Sequence, residues 1–242
     1  MYLDHTGCAM TFLGNPSGGF VGGDTCSLRA TLGRNTHVLF TTPSATRVYR
    51  TDTSPAWQSI DVTVGSHAIL EWIPELTIPF AGSCFEQHIT VCLETGASLF
   101  LQDAMAAGRI ARGERWAFSR FSNRITITLS DARSLEERYV LTPAQDTDCL
   151  TFEQGWNYVG SLFIVNETIP VSTWQHTMED FASAIDQHSG PILGGVSETS
   201  VPGLAVKVVA QAAPDLNAIL EHLWSIARKN IWNMTMPHLR RY

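Results

Sequence analysis

A repeat of about thirty residues constrains this chain more than any other feature. Three segments share one pattern: a strand of alternating polarity, a glycine turn and a second alternating strand. They cover residues 26–33 leading into 37–40, residues 60–65 leading into 68–70, and residues 89–96 leading into 98–101. The turn glycines Gly33, Gly65 and Gly96 stand 32 and 31 residues apart. A weaker fourth copy, residues 125–129, turns at Ser130-Asp131. Alternation with period two marks half-buried strands, and glycine supplies the positive φ of a tight turn. A unit this short cannot bury its apolar face alone, so copies must stack. The sequence therefore predicts a mainly β fold of stacked, β-helix-like layers of short strands over about residues 15–165. A sandwich of successive hairpins is the alternative.

Two helices near the C-terminal end complete the pattern. Residues 173–188 place Met178, Phe181, Ala182 and Ile185 on one face, with Ser172 or Thr173 as N-cap and Gly190 as the stop. Residues 214–231 do the same with Leu216, Ile219, Leu220, Leu223, Trp224 and Ala227, opening on Pro214-Asp215. Residues 204–209 read as a strand between them. The expected organisation is a single domain over 1–242, with a helix-containing C-terminal part from about residue 170.

Composition narrows the function. Only 16% of residues are charged, against roughly 25% in average soluble proteins. With 44% hydrophobic residues, seven Trp and eleven Phe, the balance predicts apolar surface that a partner covers. A net charge of −7 without a Lys/Arg run speaks against nucleic acid, which needs clustered cations. No window approaches ~18 uninterrupted apolar residues, so no membrane span is expected. Residues 1–7 lack the regions of a signal peptide. The five cysteines (Cys8, Cys26, Cys84, Cys92 and Cys149) are scattered with no CxxC pair, which fits reduced thiols in a cytosolic protein.

Catalytic templates are missing: there is no G-x-x-x-x-G-K-[ST], no H-E-x-x-H and no G-x-S-x-G. The run Gly18-Gly19-Phe20-Val21-Gly22-Gly23-Asp24 does not match a dinucleotide fingerprint and reads as a close approach of backbones. The eight His are dispersed, with no paired metal-ligand spacing. The second strand of each copy ends in polar residues, so stacking would bring Thr41, Glu71, Glu75 and Asp103 to one surface. Two readings stay open: solvated strand ends, or a column of oxygen donors beside Arg47 and Arg109 that briefly holds a divalent cation. No nucleophile is paired to a base, so hydrolysis is not implied.

The Gly18–Asp24 run, the segment Thr41-Thr42-Pro43-Ser44-Ala45-Thr46-Arg47-Val48-Tyr49-Arg50, and Leu70-Glu71-Trp72-Ile73-Pro74-Glu75 strongly resemble the urease accessory protein UreD family, called UreH in some bacteria. The likeness continues through Ile78-Pro79-Phe80, residues 108–114, Glu137-Arg138 and Val196-Ser197-Glu198-Thr199. It implies a β-helix-like stack with a few helices and a cytoplasmic, non-enzymatic chaperone. Such a protein binds apo-urease structural subunits and UreF, recruits the GTPase UreG through UreF, and passes Ni²⁺ along an interior path. No cofactor is held tightly; Ni²⁺ is bound transiently, and walls of carboxylates rather than thiolates suit an ion that must leave. By the resemblance, Asp24, Glu71 and Asp103 are candidates for that path. Thr41, Arg47, Arg109 and Glu114 support its geometry, and Gly18, Gly19, Gly22 and Gly23 allow close packing. Leu216, Leu220, Leu223 and Trp224 are the candidate surface for UreF, with packing on the protein's own sheet as the alternative.

Three departures stand out. Fewer residues precede the Gly-rich run than is usual in the family, Gln102-Asp103 stands near the point where many relatives place a Glu, and the ending Pro237-His238-Leu239-Arg240-Arg241-Tyr242 matches only loosely. A stand-alone β-helix carbohydrate-binding protein or small hydrolase is the alternative function.

Overall fold

Each of the first three copies of the repeat contributes one strand to each of two sheets. The computed structural model describes residues 2–3, 7–52, 54–144 and 155–237; Cys149 and residues 238–242 lie outside them. One sheet stacks β3 (Thr25–Leu32), β6 (Ala56–Val64), β9 (Cys84–Leu93) and β11 (Arg120–Leu129) in parallel, with β12 (Ser134–Leu141) antiparallel at its edge. The larger sheet stacks β2 (Ala9–Phe12), β4 (His37–Thr41), β7 (Ile69–Ile73) and β10 (Ser98–Ala106) in parallel. β1 (Tyr2–Leu3) extends it at one side, and β13 (Tyr158–Val165), β15 (Gly203–Ala210) and β14 (Ile192–Glu198) extend it antiparallel at the other. Two short strands, β5 (Thr46–Val48) and β8 (Thr77–Pro79), pair beside β10. The expected stacked, mainly β architecture is what forms.

The turns correct the role assigned to their glycines. Positive φ occurs at Asn35 (58°), His67 (57°) and Gly96 (70°), not at Gly33 or Gly65. These three stack: Asn35 N donates to Ser66 O, and His67 N to Thr95 O. Glycine suits Gly96 best of the three, since a Cβ there would fall 2.3 Å from Nδ1 of the exposed His67 ring, which would have to move. Gly65 serves close packing instead, because its Cβ would lie 2.6 Å from Leu32 O. The fourth copy also differs. β11 stacks on β9, but the chain turns back through Ala132 (φ 68°) into β12 of the same sheet rather than crossing over.

Two helices, α1 (Val171–Asp186) and α2 (Ala213–Trp232), cover the outer face of the larger sheet. α1 starts two residues before its expected place, with Pro170 in the N-cap position and Gln187, not Gly190, as its C-cap. α2 ends on Asn233 in the left-handed conformation. The result is three layers with an apolar core in each gap. Leu70, Trp72, Leu99 and Leu101 meet Ile60, Val62, Ile89 and Ile127 between the sheets. Phe100, Leu162 and Ile164 meet Phe181, Leu220 and Trp224 under the helices. A third, aromatic cluster of Phe20, Phe85, Phe118 and Phe121 closes one end of the sandwich.

This third layer absorbs the apolar excess that the composition assigned to a partner-covered surface. Among the described residues only Val21, Val140, Val171 and Leu193 are exposed large hydrophobics, and they are scattered along the chain. No helix among the described residues is long and apolar enough to cross a membrane.

Candidate functional site

The larger sheet has a buried carboxylate on each face, and the two never meet. β7 and β10 pair with Phe100 opposite Glu71 and Leu101 opposite Trp72. Side chains alternate along each strand. Glu71 therefore shares the helix-side face with Phe100, and Asp103 shares the inter-sheet face with Leu101 and Trp72. Thr41, opposite Ile73, falls on Glu71's face; it is buried and its Oγ1 has no hydrogen-bond partner among the described residues. The expected single column of Thr41, Glu71, Glu75 and Asp103 is thus split between the two sides of one sheet.

On the inter-sheet side, Asp103 lines a cavity of ≈ 490 Å³ together with Gly19, Phe20, Cys26, Trp72 and Glu75. Gln87 Nε2 donates to its Oδ1 at 3.0 Å. Asn123 Nδ2 donates to Oδ2 at 2.7 Å, and Tyr139 Oη to the same oxygen at 3.3 Å. Burial pushes the Asp103 carboxyl above its ordinary pKa, opposed by the Gln87 hydrogen bond and the charge of Lys207. Burial, and then the charge of Asp103, push Tyr139 well above the usual phenol range. Neutral amides rather than an arginine therefore satisfy this carboxylate. Arg109 is engaged elsewhere: it forms a two-pronged pair with Glu114 and lies 4.2 Å over the Phe80 ring. That pairing raises the Arg109 pKa and lowers that of Glu114, which also accepts from Ala81 N at 3.2 Å.

On the helix side, Glu71 is fully buried beneath α2. His37 Nε2 lies 2.5 Å from Oε1, Trp224 Nε1 donates to Oε2, and Arg228 Nη1 lies 3.4 Å from Oε1. Cys8 completes this cluster: one potential ligand atom from each of Cys8, His37 and Glu71 lies within 4.8 Å of the others. The sequence reading missed Cys8, His37 and Arg228 here, and Gln87, Asn123 and Tyr139 on the other face. One signal pointed to His37. The 32-residue spacing of Gly33 and Gly65 puts it opposite Ile69, one same-face step from Glu71. Dispersion of histidines in sequence therefore did not keep one from a carboxylate in space.

Asp24 joins neither cluster. It is half-buried in the Gly-rich loop, where its Oδ2 accepts from Val21 N at 2.9 Å and its carbonyl accepts from Trp57 N. Arg47 is exposed on β5, and its carbonyl accepts from Phe20 N at 2.8 Å. The glycines divide their work, Gly18 and Gly23 taking positive φ (75° and 84°) while Gly19 and Gly22 allow contact. A Cβ on Gly19 would fall 2.5 Å from Arg47 O and 2.7 Å from Tyr49 Cε2. Gly19→Ala should cost about 1–3 kcal/mol by overpacking against backbone. Gly14→Ala, with nothing within 4 Å of its Cβ, should leave the urea midpoint nearly unchanged. Equal midpoints for the two variants would refute the close-approach role.

Leu216, Leu220, Leu223 and Trp224 are all buried, at 0–2% exposure. They cannot form a surface for UreF. The apolar stripe of α2 packs on its own sheet, with Leu216 and Leu220 filling the space above Gly160.

Comparison with known proteins shows the family. The family described as UreD urease accessory protein matches residues 1–241. The urease accessory protein UreD of Mycolicibacterium gilvum (strain PYR-GCK) is 29% identical over 228 residues, 94% of this chain and 81% of its own length. That of Paracidovorax citrulli (strain AAC00-1) is 27% identical over 244 residues, 97% of this chain and 84% of its own length. That of Sorangium cellulosum (strain So ce56) is 40% identical over 143 residues, 58% of this chain and 45% of its own length. With a match from residue 1 to residue 241, the chain belongs to the UreD family of urease accessory proteins.

Proposed function

We propose that this chain is a cytoplasmic, non-enzymatic chaperone of urease maturation. It binds apo-urease structural subunits and UreF, is served by UreG through UreF, and passes Ni²⁺ to the urease active site. Family membership across residues 1–241 is the observation that carries this reading. The inter-sheet cavity supports the transit step, because a buried carboxylate rather than a cage of ligands lines it. An oxygen donor of this kind, already shared among three hydrogen bonds, holds a passing cation loosely, as conduction requires. Asp103 is the cavity station in this scheme. Asp24 and the Arg109–Glu114 pair hold loop shape.

The test is co-expression of the tagged chain with the urease subunits and UreF of the same organism, read by gel filtration and by urease nickel content. One peak holding all components, and nickel-free urease when the chain is omitted, is the expected result. Normal nickel loading without the chain would overturn the reading.

A further inference from the structure

We propose that Cys8, His37 and Glu71 form a second, transient cation station on the helix side of the larger sheet, and that Arg228 keeps its affinity low. This rests on the metal-handling role above, but it concerns a different face and different donors. The three donors converge from separate elements: Cys8 just ahead of β2, His37 at the start of β4 and Glu71 within β7. A cation bound at roughly 2.0–2.3 Å from each donor keeps donors within about 4.6 Å of one another, and here they lie within 4.8 Å. Only a small adjustment separates the observed cluster from a coordinating one. Sulfur, imidazole and carboxylate together select a borderline transition cation such as Ni²⁺, Co²⁺ or Zn²⁺ over Mg²⁺ or Ca²⁺.

A second observation points the same way. His37 Nδ1 is buried with no hydrogen-bond partner among the described residues, whereas buried polar atoms are ordinarily satisfied. The ring thus has coordinating capacity that the protein leaves unused. His37 is also the cluster's most exposed member, its side chain 10% accessible against 0% for Glu71, which makes it the side of entry.

Arg228 explains why such a site would release its ion. Its guanidinium is fully buried and lies 3.4 Å from Glu71, so the empty cluster pairs one negative with one positive charge. Binding a divalent cation converts the Cys8 thiol to a thiolate and releases its proton. The occupied site then carries two ligand negatives, the ion's two positives and Arg228, one positive charge in excess. That excess in a buried site weakens binding.

Titration of the purified full chain with Ni²⁺ or Co²⁺, by equilibrium dialysis and near-ultraviolet absorption, tests the proposal. The expected result is one bound cation with sulfur-to-metal charge-transfer absorption. Cys8→Ser should abolish that absorption and weaken binding at least tenfold, and His37→Gln should also weaken it. Arg228→Gln should tighten binding. Cys92→Ser, at an exposed cysteine, should change neither signal. Cys8→Ser is nearly isosteric, and circular dichroism of each variant, Arg228→Gln above all, checks that it folds. Absence of the absorption, or its persistence in Cys8→Ser, would overturn the site. Loss of the absorption in Cys8→Ser with unchanged urease nickel loading would confirm the site while refuting its service to urease.

Discussion

Glu71→Met should destabilise the protein by about 3–5 kcal/mol, the cost of removing one partner of a buried ion pair. The residue is fully buried, as is Arg228 at 3.4 Å, and both His37 and Trp224 use its carboxylate. Arg228→Met should cost a similar amount, because it strands the carboxylate instead. The double variant should recover part of the loss, since a buried pair replaced by packed apolar groups is often close to neutral, while Trp224 Nε1 and His37 Nε2 still lack their acceptor. Chemical denaturation of the four proteins in a double-mutant cycle gives the coupling directly, and simple additivity would refute the pairing. The expected size has a practical consequence for function. Failure of a Glu71→Ala variant to activate urease would follow from misfolding alone, so it cannot locate a nickel path.

The repeat was legible because strand alternation and turn chemistry are local, while the fate of each carboxylate was not, because it depends on register. The glycines suggest steps of 32 and 31 residues, and the ladders advance by 32 from β4 to β7 but by 29 from β7 to β10. The discrepancy arises in the third turn. Gly96 occupies the left-handed place that Asn35 and His67 fill in the first two, two residues beyond the place of Gly33 and Gly65. A spacing of 31 lays Gln102 beside Glu71, whereas the pairing lays Phe100 there; the two registers differ by one same-face step, so Asp103 falls on the opposite face under either. The helix α2 was legible for a related reason and misread for another. Period 3.6 identifies an apolar stripe, but nothing in the stripe tells a partner's groove from the protein's own sheet. Gly160, whose missing side chain admits Leu216 and Leu220, decides the matter only once the strands are in place. Cys8 carried no local signal at all, since its meaning comes from β4 and β7 lying beside it.

The second large effect is expected at Asp103. Asp103→Ala leaves the amides of Gln87 and Asn123 and the Tyr139 hydroxyl without an acceptor they now share. Gln87 Nε2 keeps Asn123 Oδ1 at 3.2 Å and Asn123 Nδ2 keeps Tyr139 Oη at 3.4 Å, so the loss falls mainly on the Tyr139 hydroxyl. An orphaned buried donor costs about 1–3 kcal/mol, and the total should lie in that range. Asp103→Asn should cost less, as one oxygen still accepts, and it separates charge from shape. Its pH dependence gives the sign. Burial holds the folded-state pKa of Asp103 above the unfolded one, so its favourable contribution is present below the usual carboxylate value, about pH 4. That contribution is lost as pH rises through the folded-state value. The stability of the wild type relative to Asp103→Asn should therefore fall as pH rises from about 4, and then level off. A difference independent of pH would refute a buried, desolvated carboxylate at this position. Functionally the same variant is the sharper probe. A folded Asp103→Asn protein that still assembles with urease but leaves it poor in nickel assigns the role to the negative charge. Full nickel loading by that variant assigns Asp103 to architecture alone, tying β10 to β9, β11 and β12 across the two sheets.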